Sequence, residues 1–144
     1  MVVRSRVLFL CTGNSARSQM AEGLLRSFAG DRFEVHSAGT DPKGVNPLTV
    51  AAMSELAIDI SKHESKHLDR YVEQPWDYVI TVCDAAAEVC PVFPGGVHRL
   101  HWSFPDPAAI QGSAADRLAG FGEVRDAIAT QLRQFIAQID AGQG

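Results

Sequence analysis

The longest uninterrupted apolar run near the start of the chain is Val7-Leu8-Phe9-Leu10, which stops at Cys11. A run with no polar alternation predicts a strand over 6–10 that is buried on both faces, as in a parallel sheet. Met20, Leu24 and Phe28 then recur at four-residue spacing, with Ala21 and Leu25 widening the apolar face. That periodicity predicts a helix over 17–28, stopped at Gly30. Residues 33–37 read as a second strand ended by Ala38-Gly39, and 41–47, with two prolines, a glycine and an asparagine, as a loop. Asn46-Pro47 has the form of a cap followed by a first-turn proline. The helix it opens, over 47–57, turns Val50, Met53, Leu56 and Ala57 inward. A loop over 61–67 leads to a short helix over 68–72. Residues 77–82 form a third strand and 98–101 a fourth; 102–107 and 111–117 read as loops. A last helix over 121–140 carries Phe121, Val124, Ile128, Leu132, Phe135 and Ile139 on one face, and the final four residues are tail.

Strands alternating with helices predict an α/β fold, a four-stranded parallel sheet in a three-layer α/β/α arrangement. Ligands of such sheets sit beyond the C-terminal ends of strands, where the strand order reverses. The Cys11 loop, Cys83 and the Asp106 loop all follow strands, so one mouth of the sheet can hold all three. The 144 residues fit one domain, 1–144, without repeats, low-complexity tracts or linkers.

Composition narrows the partners. With 46% hydrophobic and 21% charged residues this is an ordinary globular composition. A net charge of −4 without a basic block argues against nucleic acid. No stretch approaches the roughly 20 apolar residues of a membrane span, and the N-terminus lacks a signal-peptide cleavage pattern. A cytoplasmic monomer is expected, in which three cysteines are reactive or buried, not locked in a structural bridge.

The stretch between Cys11 and Arg17 concentrates the chemistry. A tetrahedral oxyanion needs several converging donors. Successive backbone N–H groups running into a helix N-terminus supply them with a favourable partial charge. Arg17 can hold two oxygens through its planar fork, and Ser15 and Ser18 can donate hydroxyl hydrogen bonds. Gly13 and Asn14 tolerate the left-handed backbone that points N–H groups inward. The same positive surroundings are expected to depress the Cys11 pKa and make it a nucleophile at neutral pH. Cys-x5-Arg also fits a protein tyrosine phosphatase loop; it marks reaction with an oxyanion without saying which.

Displacing an oxygen requires a proton donor for the leaving group, and Asp106, held by Pro107, is the candidate. Cys83 and Cys90 would sit one or two turns apart on a helical segment. A disulfide between them needs Cα atoms within about 7 Å, so that segment would have to unwind. A phosphatase has no use for the pair, whereas a reductase must supply two electrons. The five histidines are scattered, His63 and His67 read as a solvated face, and no metal site is expected.

The segments CTGNSARSQMAEG, SAG at 37–39, GVNP at 44–47, DIS at 59–61, TVCDAAAEVCP and DPA together resemble the thioredoxin-coupled arsenate reductases, which share the low-molecular-weight phosphatase fold. The resemblance spans Val7 to about Phe135. It implies reduction of arsenate to arsenite for arsenic detoxification, with phosphate or sulfate as competing oxyanions. Cys11 would attack arsenate held by Thr12, Gly13, Asn14, Ser15, Ala16, Arg17 and Ser18, while Asp106 protonates the departing hydroxide. Cys83 would then attack Cys11, releasing arsenite, and Cys90 would attack Cys83, leaving a disulfide for thioredoxin to reduce. No organic cofactor is implied. Ala16 stands where some relatives carry a fourth cysteine that this relay does not use. Some relatives also bind potassium through an asparagine, a glutamate, a serine and an aspartate. Asn14, Glu22 and Ser37 match the first three, but Lys66 stands in place of the aspartate, so its ammonium is expected to replace the ion. The alternative reading is a low-molecular-weight protein tyrosine phosphatase using Cys11, Arg17 and Asp106. Pro-Ala-Ala-Ile after Asp106, without an aromatic to stack on a substrate ring, argues for a small inorganic substrate. A third reading is an oxyanion sensor without turnover, which would have no use for Cys83 or Cys90.

Overall fold

A computed structural model describes residues 4–83 and 97–142. Strand β1 (Ser5–Cys11) lies inside a four-stranded, all-parallel sheet with β2 (Phe33–Gly39), β3 (Tyr78–Thr81) and β4 (His98–His101), in the order β2-β1-β3-β4. Alternate side chains of β1 serve two cores. Val7, Phe9 and Cys11 pack with residues of α1 (Arg17–Ala29), α2 (Pro47–Ser54) and α3 (Ala114–Gly142). Leu8 and Leu10 pack on the other face against Leu68, Tyr71 and Trp76. Both faces of β1 are therefore dry, which is why its sequence is continuously apolar and not alternating.

Most boundaries fall within two residues of the sequence expectation; three departures have a clear local cause. Strand β2 continues through Ala38 and Gly39, which pair with Leu10 and Cys11. Helix α2 ends at Ser54, so Leu56 is exposed instead of inward. The cause is Ala57, which takes the left-handed conformation (φ 59°) and lets the Ile58 N–H return to the Met53 carbonyl at 3.1 Å. This is a Schellman closure with alanine where glycine is usual. Helix α3 starts at Ala114, seven residues before the expected position. Ser113 and Asp116 cap it reciprocally: the Asp116 N–H donates to Ser113 Oγ at 3.1 Å and the Ser113 N–H to Asp116 Oδ2 at 3.2 Å. Gly120 inside the helix allows close approach of Ile110, whose Cδ1 would lie 2.1 Å from an added Cβ.

The strand order reverses between β1 and β3, so the crevice above these two strands is the topological switch point. Cys11 ends β1, and Cys83 follows β3 by two residues. Gly39, at the end of β2, touches the loop after Cys11. A Cβ there would come within 2.5 Å of the Thr12 carbonyl oxygen and 2.9 Å of the Asn14 nitrogen, both backbone atoms. Gly39→Ala is expected to cost about 1–3 kcal/mol of unfolding free energy. A urea midpoint equal to that of the wild type would show that the loop yields without cost.

Candidate active site

From Cys11 to Ala16 each carbonyl is tied by a donor outside the turn it belongs to. The Thr40 N–H reaches Cys11 O (3.3 Å), Asp41 N–H reaches Thr12 O (2.9 Å), and Lys43 N–H reaches Gly13 O (2.9 Å). Ser65 Oγ donates to Asn14 O at 2.7 Å, and Ser15 O accepts from the Asn46 N–H at 3.1 Å and from Thr49 Oγ1 at 2.9 Å. The Ala16 carbonyl accepts from Met20 N–H at 2.9 Å in the helix. In a trans peptide the carbonyl and N–H point to opposite sides. Tying the carbonyls outward therefore turns the N–H groups of the loop toward its concave side. Asn14, at φ 47°, makes the left-handed step this curvature needs.

A cavity of about 350 Å³ opens on that concave side. Its lining includes Cys11, Thr12, Gly13, Ser15, Ala16, Arg17 and Asp106, so two of the three parts expected at one mouth, the Cys11 loop and the Asp106 loop, share it; Cys83 does not line it. Arg17 Nη1 donates to the Phe104 carbonyl at 3.0 Å, tying the helix start to the loop that carries Asp106. Asp106 is exposed, and its Oδ1 accepts the Ala108 N–H at 3.0 Å as the cap of the turn Pro107–Ala109. Ala16, at the N-cap of α1, has no side-chain oxygen to satisfy the first-turn N–H groups. Lys43 and Ala108, which the sequence reading did not single out, also line the cavity.

Asn14 and Ser18 are placed differently. Both are fully buried, and the Asn14 amide points away from the cavity, donating to Ser18 Oγ at 2.8 Å and to Ser37 Oγ at 2.9 Å. Its Oδ1 accepts from Gln19 Nε2 at 3.0 Å and from the Lys66 N–H at 2.9 Å. Their side chains brace the loop from behind. His63 belongs to this brace and not to a solvated face: its Nδ1 lies 3.0 Å from Gln19 Oε1 and 3.7 Å from Glu22 Oε2. Desolvation pushes the His63 pKa down.

Glu22 is the anionic centre of the brace. Burial opposes its ionisation, but Lys66, the Ser37 hydroxyl, Arg26 and His63 together hold its carboxyl below the usual range. Lys66 Nζ lies 3.4 Å from Glu22 Oε1, with both side chains largely buried. The potassium ligands that the resemblance implies thus do not fit a cation here. An ammonium already neutralises the carboxylate at that point, and a second positive charge beside it would be repelled.

Cys83 is buried, with its Sγ 3.4 Å from Thr12 Oγ1 and in hydrogen-bond contact with the Cys11 thiol. This contact corrects one expectation. Arg17 and the Thr12 N–H do favour the Cys11 thiolate, but the Cys83 hydrogen bond and burial outweigh them and push the Cys11 pKa up. Two thiols in contact oppose each other's ionisation, so the second proton of the pair is harder to remove than the first. Cys90 lies outside the described residues.

The family model described as low molecular weight phosphotyrosine protein phosphatase matches residues 6–143. Among curated proteins, the arsenate reductase of Halalkalibacterium halodurans is 46% identical over 129 residues, covering 90% of this chain and 93% of that protein. The arsenate reductase of Bacillus subtilis matches at the same identity and coverage. A solved arsenate reductase in its phosphate-binding state superposes with a TM-score of 0.80 at 30% identity, covering 94% of this chain and 98% of the other. A thioredoxin-dependent arsenate reductase of Corynebacterium glutamicum gives 0.76 at 32%, covering 98% of this chain and 64% of that one.

Three measurements check the electrostatics of the site. Cys83→Ala removes the largest influence raising the Cys11 pKa. Alkylation of Cys11 by iodoacetamide, followed by peptide mass spectrometry, should therefore begin at lower pH than in the wild type; an unchanged or higher onset would contradict the contact. Lys66→Met leaves Glu22 with fewer partners and should cost about 1–3 kcal/mol in denaturant unfolding. The wild type should melt at the same temperature in potassium and in sodium at equal ionic strength. Stabilisation specific to potassium would show that the ion still binds.

Proposed function

The chain belongs to the low molecular weight phosphotyrosine protein phosphatase family, and from that premise we propose that it reduces arsenate to arsenite. The observation that carries this reading is the buried Cys83 thiol held against Cys11 beside the oxyanion loop. Phosphoester hydrolysis needs one thiol; reduction of an oxyanion needs a second to accept the bond that must break. The curated relatives named arsenate reductase agree with it.

In the proposed course, the loop N–H groups and Arg17 hold arsenate against Cys11. The Cys11 thiolate attacks arsenic, and Asp106 gives its proton to the departing hydroxide, which leaves as water. Cys83 then attacks Cys11 Sγ. The sulfur–arsenic bond breaks with its electron pair passing to arsenic, so arsenic(V) becomes arsenic(III) and a Cys11–Cys83 disulfide forms. Cys90 attacks Cys83 Sγ and frees Cys11. The dithiol of thioredoxin reduces the Cys83–Cys90 disulfide, supplying the two electrons. Arg17 and the Thr12 N–H favour the Cys11 thiolate from which this course begins, while the Cys83 contact and burial oppose it. We place the protein in the reducing cytoplasm, working as a single-domain monomer.

The test follows NADPH oxidation with thioredoxin and thioredoxin reductase before and after arsenate is added. Steady arsenate-dependent oxidation is expected for the wild type and its loss in Cys90→Ser. Asp106→Asn should fall by about 10²–10⁴-fold in turnover, the usual worth of a general acid. Hydrolysis of an aryl phosphate without arsenate-dependent oxidation would replace this reading with the phosphatase one.

A further inference from the structure

The loop that follows β2 does more than hold the oxyanion loop in place. Its donors pair with successive carbonyls of the 11–16 turn: Thr40 with Cys11, Asp41 with Thr12, Lys43 with Gly13, Asn46 with Ser15. This pairing fixes the Lys43 backbone at the rim. The Lys43 stem lies on Gly13, since a Cβ added at Gly13 would meet Lys43 Cγ at 3.2 Å. From there Lys43 joins Cys11, Arg17 and Asp106 in lining the cavity. We propose that Lys43 is a binding and specificity residue of the site, a second cation beside Arg17 that recruits doubly charged tetrahedral oxyanions. The proposal deepens the reading of an oxyanion-reducing site and rests on it.

The chemistry supports this division of labour. Arg17 lines the cavity, where its fork can hold two oxygens. A doubly charged oxyanion carries two negative charges, and the one guanidinium of Arg17 offsets only one of them. An ammonium at the rim restores the balance. Lys43 Nζ rests 2.8 Å from Asp41 Oδ2, with both side chains about two-thirds exposed. A pair so exposed is weakly held, so a dianion in the cavity can draw the ammonium over at little cost. The flexible stem and compact head of lysine suit such a swing better than arginine's rigid fork would. Lys43 touches the oxyanion, not the leaving hydroxide, so it contributes to binding and not to bond breaking.

The test titrates the reduced protein with inorganic phosphate by calorimetry, using wild type, Lys43→Met, Lys43→Arg and Asp41→Asn. Lys43→Met should weaken phosphate binding about tenfold, the order of one charge-assisted hydrogen bond, and flatten its dependence on salt. Lys43→Arg should recover most of the affinity, and Asp41→Asn, which frees the ammonium, should tighten binding by about threefold. In arsenate turnover, Lys43→Met should raise KM with kcat unchanged. A Lys43→Met protein that binds phosphate as the wild type does, with the same salt dependence, would overturn the proposal. Phosphate is not reduced, so the titration reads Lys43 independently of turnover. Failure to reduce arsenate would strike the reductase reading alone.

Discussion

The site depends on one constraint: the carbonyls between Cys11 and Ala16 must face outward. The segment after β2 imposes it, its N–H groups pairing with Cys11, Thr12, Gly13 and Ser15. That segment can reach them because β2 pairs with β1 in register up to Gly39 opposite Cys11. It can lie close enough because Gly39 has no side chain. Sheet register, a glycine and a short run of backbone hydrogen bonds thus decide where the N–H groups of the loop point. The concave electropositive surface follows from main-chain geometry and would exist with many different loop side chains.

A second layer holds Asn14 in its left-handed conformation. The Asn14 amide is saturated by Ser18, Ser37, Gln19 and Lys66, and this polar cluster closes on the Glu22 carboxylate. A buried polar cluster is costly when one member lacks a partner and rigid when all are satisfied. Among the described residues no buried side-chain nitrogen or oxygen lacks a hydrogen-bond partner. The positive charge of Lys66 therefore serves the loop indirectly, by allowing Glu22 to stay ionised and accept from Ser37.

Much of the fold was legible because it obeys local rules. The apolar run of β1, the four-residue spacing in α1 and the Asn46-Pro47 start of α2 each point to one structure, and the structure has it. Cys11, Arg17 and Asp106 were legible from chemistry. The early start of α3 was also written in the chain, as Ser113 and Asp116 three residues apart, but the small, polar run 111–117 has no apolar face to mark it as helix. The end of α2 carried no such sign, because Ala57 takes a conformation that alanine rarely adopts. The inward or outward direction of Asn14 and Ser18 depends on Ser37, Gln19 and Lys66, residues distant in sequence. For Cys11, the charge of Arg17 is local in sequence, whereas the burial and the Cys83 contact that oppose it come from the packing of β1 and from the chain after β3.

The first turn of α1 begins at Ala16, with no side chain to cap it. An oxyanion bound in the cavity, as proposed, would take the place of that cap as well as being a ligand. Anything that binds the native state and not the unfolded chain stabilises it by mass action, by about 2.7 kcal/mol at a hundred times its dissociation constant. With no hydroxyl at position 16, the stability of this protein would then rise with the oxyanion content of its surroundings.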